Sequence, residues 1–198
     1  MPYESGQVRV IFPYIRPSIK QFIVGGPADG DEAQVFHQGF PGVLITGFEP
    51  NPRTYDYQIN VGFPGTLRRE ALWNKNGATV NFSLGDLHPN DGNPYGRQGR
   101  VQSLGDILVP TVTLDALFHP TDYRSIALWI DIERTELTAL QGSQNLLSSG
   151  AIDVIMLEAM GDTIIDLREY LSQYGYKEVL FYNSHDYIFC LGVSEKAL

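Results

Sequence analysis

Cysteine is almost missing from this 198-residue chain: Cys190 stands alone, which excludes an internal disulfide and a cysteine-built metal site. It lies in the apolar run YIFCL, where a buried structural thiol is expected. Basic residues are scarce too, with 14 Lys and Arg against 23 Asp and Glu and a formal charge of −9. That balance argues against a generic nucleic-acid partner. No apolar run reaches the roughly 18 residues of a membrane span, so no membrane partner is expected. The start, MPYESGQVRVIFPYIRPSIKQ, carries charge and proline where a leader would be apolar, and the expected location is cytoplasmic. Two phosphate-binding signatures are also missing, Gly-x-Gly-x-x-Gly and the loop ending in Gly-Lys-Ser/Thr.

A core is present. Hydrophobic residues make up 43% of the chain, enough that wholesale disorder is not expected. The length suits a single domain over residues 1–198, with 1–20 as an N-terminal extension and no linker or repeat. The aromatic FPYIRP in that extension is expected to pack on the sheet edge, with covering of a ligand as the alternative.

Strand-like and helix-like segments alternate. Phe22-Ile23-Val24 and GVLITGF read as buried strands, with AQVFHQ as a short helix between them. Asn51 offers a helix cap and Pro52 a first helical position, opening PRTYDYQIN. TLRREALW and ATVNFSL read as two strands of a hairpin, joined through Asn76-Gly77. The polar stretch GDLHPNDGNPYGRQGR is an exposed loop over about 85–100, and ILVPTVTL leads into a short amphipathic piece, LDALF. SIALWIDI is apolar almost throughout, as a strand buried on both faces of a parallel sheet would be. ERTELTALQGSQNLLSS fits one helix or a pair kinked at Gly142, and IDVIML is a further strand. Asp162 can cap TIIDLREYLSQYG, which Gly175 stops. KEVLFYN and DYIFCLG form a closing antiparallel pair. The pattern predicts an α/β fold: a Rossmann-like, doubly wound, mostly parallel sheet with an antiparallel C-terminal hairpin.

In such sheets ligands bind beyond the carboxyl ends of the strands. The turn GGPADGDE follows the first strand and combines close backbone approach, at Gly25, Gly26 and Gly30, with acids at Asp29, Asp31 and Glu32. Glu49 ends the next strand, at about the 20-residue spacing where an acid meets a ribose diol. Carboxylates repel phosphate but favour a cation. A ribose-bearing ligand with a sulfonium and an ammonium, S-adenosylmethionine, matches both features; a plain turn with solvated acids is the simpler alternative. Ala28, Pro50 and Asn51 adjoin these positions, and Trp73 is placed either against an adenine or in the core.

The segments GPADGDE, GFEPNPRTY, VPTVTLDALF, LWIDIERTELTALQGSQNLL and VIMLEAM resemble, in order and spacing, the FkbM family of S-adenosylmethionine-dependent methyltransferases. The resemblance runs over about residues 20–192. It implies a class I methyltransferase fold and methyl transfer to oxygen, on a sugar or polyketide-type hydroxyl. It also implies Gly26 and Gly30 at the cofactor turn and Glu49 on the ribose. Three positions depart from the family pattern. Val24 stands for an acid, Trp129 for a lysine and Arg134 for a glycine.

Methyl transfer from an activated carbon to an unactivated hydroxyl needs alignment and removal of a proton. Asp131 and Glu133 are the catalytic candidates; while the chain stays extended they share parity with Trp129 and project to one side. The alternative for these acids is helix capping, since Glu133 and Glu136 open the next helix. Glu158 could join Asp131 around Mg²⁺ or Ca²⁺, but the site is read as metal-free. His88, Tyr95 and Arg97, in the polar loop, are the substrate candidates; His37, His119 and His185 receive no role. The expected acceptor is a hydroxyl on a small molecule or glycan, and a homodimer covering the crevice is compatible with the sequence. Two other functions fit the same residues: a cofactor-binding scaffold without turnover, and a nucleotide-binding module using Glu49 on another ribose.

Overall fold

The computed structural model describes residues 7–85, 99–122 and 125–192. The chain enters through a 3-10 segment, Gln7–Tyr14. β1 (Gln21–Gly25) follows, with all five residues buried. α1 (Asp31–Gly39) then opens with Asp31 and Glu32 in its first turn, where the helix dipole favours acids. β2 (Leu44–Phe48) leads into α2 (Pro52–Val61). As expected, the Asn51 side chain caps α2, accepting from the Arg53 N–H at 3.1 Å, and Gly62, at φ 84°, ends it. β3 (Thr66–Arg68), β4 (Ala71–Leu72), β5 (Thr79–Ser83), β6 (Arg100–Val101) and β7 (Ile107–Val112) come next. A single helical turn, α3 (Leu114–Leu117), precedes β8 (Ile126–Ile130). The remainder is α4 (Glu136–Gln141), α5 (Gln144–Ser148), β9 (Ile152–Glu158), α6 (Thr163–Ser172), β10 (Tyr176–Tyr182) and β11 (Asp186–Leu191).

Seven strands form the main sheet, in the order β10-β11-β9-β8-β1-β2-β3. Pairings from β9 through β3 are parallel, and β11 runs antiparallel to both β9 and β10. This is the predicted doubly wound sheet with its antiparallel C-terminal hairpin. Alternation along the strands divides the core in two. Ile23, Leu128, Ile155 and Phe189 meet Leu140, Leu146, Leu167 and Leu171 from α4, α5 and α6. Phe22, Val24, Ala127, Trp129, Met156 and Cys190 face the other way, toward α1 and the 3-10 segment. Phe22 stacks on Phe36 of α1 at 3.9 Å between ring centroids. Phe12 of the 3-10 segment meets Phe36 edge-on at 5.9 Å. The segment containing FPYIRP thus packs over a face of the sheet and α1, where the sequence suggested the edge.

Several local expectations change. TLRREALW and ATVNFSL do not form a hairpin. β3 pairs parallel with β2 in the main sheet, whereas β4 pairs parallel with β7 and β5 lies antiparallel to β7 and β6. β7 therefore separates β4 from β5 in a second, four-stranded sheet ordered β4-β7-β5-β6. The 85–100 stretch is not all loop, since Arg100 belongs to β6 and pairs with Ser83. Asp162 stands at the α6 N-cap without accepting a capping bond. Of the two forms open to ERTELTALQGSQNLLSS, the pair is the one found, as α4 and α5 separated at Gly142-Ser143.

Candidate active site

The carboxyl ends of β1, β2 and β8 meet at one place. Past Gly25 the chain turns so tightly that Gly26, at φ 73°, has no room for a side chain: a Cβ there would strike the Asp131 carbonyl. Gly26 N–H donates to the Phe48 carbonyl at 3.0 Å, and Asp131 N–H donates to the Gly25 carbonyl at 3.0 Å. The turn is stapled to both neighbouring strands. Gln58 of α2, 1% exposed, holds its far side by donating to the Ala28 carbonyl at 2.6 Å. The same amide fills the space that a side chain at Gly30 would need.

Beside this turn lies an open cleft. Gly26, Phe48, Glu49, Pro50, Asp131, Ile132 and Thr135 line it from the main sheet and its loops; Ala71, Leu72, Phe82, Gly99 and Val101 line it from the second sheet and its flank. The second sheet is thus a wall of the cleft. Phe82 and Leu72 make that wall apolar, and Glu49 and Asp131 make the floor acidic.

Glu49 is buried, at 6% exposure. Its Oε1 accepts the Asn51 N–H at 2.8 Å, and Oε2 has no hydrogen-bond or ion-pair partner among the described residues. Burial outweighs that bond and pushes its pKa up to about 8. Asp131 follows the last residue of β8, and its pKa is raised well above the ordinary carboxylate range. Burial is the main cause, and the carboxylates of Glu158, Glu133, Glu32 and Glu136 add to it. Glu32 is pushed up to about 7, again mainly by burial. Glu133 is raised by burial and by Glu158, while Arg100 and Arg134 oppose the shift.

The loop after β8 leaves the extended conformation at once. Glu133 and Arg134 take φ of 57° and 78°, so Glu133 does not continue the strand parity read from the sequence. Trp129 is buried in the core under α1, and the position that departs from the family's lysine serves packing here. Glu136 secures the loop: its Oε1 accepts the N–H groups of Ile132 and Arg134, each at 3.2 Å.

Of the predicted ligand residues, Gly26, Glu49, Pro50 and Asp131 line the cleft together. Gly25, Ala28, Asp29 and Gly30 shape the turn behind it; Asp29 Oδ1 accepts the Asp31 N–H at 3.4 Å. Asn51 orders the helix start and donates to the Leu84 carbonyl at 3.2 Å. Trp73 follows β4, its N–H donating to Val112 at 3.0 Å, and it does not line the cleft; Phe82 supplies the aromatic there. His88, Tyr95 and Arg97 lie outside the described residues. The sequence reading did not anticipate Phe82, Val101, Thr135 or Gln58, because pairing of the second sheet and packing of α2 bring them in. Glu136 carried a signal, since an acid three residues into a turn before an apolar run reads as a cap.

A family model described as Methyltransferase FkbM domain matches residues 24–178. The chain belongs to the FkbM methyltransferase family. Among solved structures, precorrin-6y C5,15-methyltransferase from Geobacter metallireducens is similar at 14% identity and a TM-score of 0.52, over 94% of this chain and 87% of that one. The METTL16 methyltransferase domain is similar at 10% identity and a TM-score of 0.50, over 94% and 65%. At these identities the likeness concerns the fold, which is that of the class I methyltransferases. No curated protein matches this sequence. In this FkbM-family chain no described helix is long and apolar enough to cross a membrane.

The cleft suits the family's cofactor, S-adenosylmethionine. The turn has no side chain at Gly26, and beside it stands a buried carboxylate, Glu49, with an oxygen that has no partner among the described residues. Among the described residues Glu49 and Asp131 have no ion-pair partner, and a cationic ligand would suit them.

Proposed function

We propose that the protein is an S-adenosylmethionine-dependent O-methyltransferase whose acceptor is a hydroxyl on a sugar or another small molecule. The observation that carries this reading is Glu49. It is a buried carboxylate, bonded through one oxygen only among the described residues, in the same cleft as the Gly26 turn and Asp131. Glu49 and the Gly26 backbone would hold the nucleoside, and the apolar side chains of Phe48, Leu72 and Phe82 would exclude water around its base. When bound, S-adenosylmethionine supplies a methyl carbon already activated by a positive sulfur. The chain's own task is then to align a hydroxyl with that carbon and take its proton. Asp131 is placed for this, and its raised pKa makes it a stronger base than an ordinary carboxylate. Glu133 stands beside it and is balanced by Arg100 and Arg134.

The test is transfer of labelled methyl groups to a panel of hydroxylated sugars and small alcohols, with amines and nucleic acid as controls. Label should enter a hydroxyl compound, and Asp131→Asn should lower turnover by about 10²–10⁴ while binding S-adenosylhomocysteine within a few-fold of the parent. Turnover should rise with pH through a midpoint above the ordinary carboxylate range, because the base works deprotonated. Labelling confined to amines or nucleic acid would replace the hydroxyl reading. An Asp131→Asn variant that transfers methyl at the parent rate would leave Asp131 structural.

A further inference from the structure

At the carboxyl end of β9, the register sets two acids against each other. Glu158 is the last residue of β9, Asp186 is the first of β11, and the antiparallel ladder pairs them directly. Like charges so placed oppose pairing. His185 precedes Asp186 in the turn between β10 and β11, and its Nε2 lies 3.5 Å from Glu158 Oε1. One donor atom from each of Glu158, His185 and Asp186 falls within 4.8 Å of the others. The backbone fixes this corner, with the Ala159 N–H donating to the His185 carbonyl at 2.8 Å.

Asp186 is the independent observation. It is 4% exposed, yet its carboxylate makes no hydrogen bond or ion pair with any described residue. A carboxylate so largely buried and without a partner among the described residues favours a cation beside it, and one of its oxygens belongs to the group that already holds Glu158. A cation would resolve the conflict. We propose that Glu158, His185 and Asp186 form a binding site for a divalent transition-metal ion.

The donor set selects the class of ion. Two carboxylates and one imidazole suit Mn²⁺, Fe²⁺ or Zn²⁺, whereas Mg²⁺ and Ca²⁺ favour oxygen alone. Ligand atoms on one such ion lie about 2.0–2.2 Å from it, so neighbouring donors stand roughly 3 Å apart. The donors here need only a small inward shift. Three protein ligands leave coordination positions for water or another oxygen ligand. Glu158 is also within 4.8 Å of Asp131 and Glu133, carboxyl to carboxyl, so the ion would sit beside the cleft and offset part of its negative charge. The site does not depend on methyl transfer and is tested with metal alone.

The experiment is titration of the chelator-treated full chain with MnCl₂, following free Mn²⁺ by electron paramagnetic resonance. One ion per chain should bind, with Zn²⁺ competing and Mg²⁺ competing poorly. Asp186→Asn and His185→Gln should each weaken binding at least about tenfold. Without metal both variants should melt at or above the parent temperature, since Asp186→Asn removes a like charge and His185 is a partly exposed turn residue. Asp131→Asn should keep affinity within about threefold. Failure to bind Mn²⁺ below about 1 mM would overturn the site, as would binding that neither Asp186→Asn nor His185→Gln weakens. Binding lost on Asp131→Asn but kept in the other two variants would also overturn it, by moving the ion to the neighbouring carboxylates.

Discussion

Arg134 holds φ 78° directly after Glu133 at φ 57°, a left-handed conformation that costs a side-chain-bearing residue about 1–2 kcal/mol. The position is the one where Arg134 departs from the glycine of the family pattern, and the backbone has kept a conformation suited to glycine. Arg134→Gly should therefore raise the unfolding free energy by about 1 kcal/mol in urea melts; a loss of stability would mean that the arginine's charge beside Glu133 outweighs the strain. Glu49 and Asp131 were legible in the sequence because each ends an apolar run, and strand ends point at the crevice in this class of sheet. Gln58 was not legible. A glutamine in the middle of a polar helix carries no sign that it will be buried against the Ala28 carbonyl, because that contact depends on how α2 lies across the turn.

Among elements, the second sheet is where sequence and structure part. Asn76-Gly77 is a sound hairpin signal, but Thr111 of β7 takes the turn over. Its hydroxyl donates to the Lys75 carbonyl at 2.6 Å and accepts the Ala78 N–H at 3.1 Å, while its own carbonyl accepts the Gly77 N–H at 2.9 Å. These partners open the turn and seat β7 between β4 and β5. Such pairing across more than thirty positions leaves no trace in local periodicity. Thr111→Val keeps the shape and removes the hydroxyl bonds at a residue 2% exposed. It should cost about 1–3 kcal/mol and, because β5 carries Phe82 to the cleft, weaken S-adenosylhomocysteine binding as well. A variant as stable as the parent would show that the hydroxyl does not hold the turn. The centre of the main sheet was legible, since β1, β8, β9 and β11 are largely apolar runs buried on both faces. The 3-10 segment was not, because Val8 and Ile11 gain their core role only from where β9 and α1 stand.

At the scale of the molecule, a chain of charge −9 gathers buried acids at one end of its sheet. Glu32 and Glu49 have pKa values raised to about 7 and about 8 from an ordinary 4.5. A raised folded-state pKa means that protonation favours the fold. The contribution is fully present below about pH 4.5 and is lost as pH climbs through 7 and 8. Thermal melts without ligand should therefore show stability falling from about pH 5 to pH 8.5, with a shallower slope in Glu49→Gln. A melting temperature that rises across this range would contradict the burial assigned to these acids. Titration calorimetry of the parent and Glu49→Gln with S-adenosylhomocysteine decides whether Glu49 and the Gly26 turn form a nucleoside site. Above about pH 8, where Glu49 is ionised, the parent should bind one equivalent, and the variant, nearly isosteric and still folded, should bind about 10- to 150-fold more weakly, as expected for a lost charge-assisted hydrogen bond of about 1.5–3 kcal/mol. Equal affinity in the two proteins, or no binding by the parent, would contradict it.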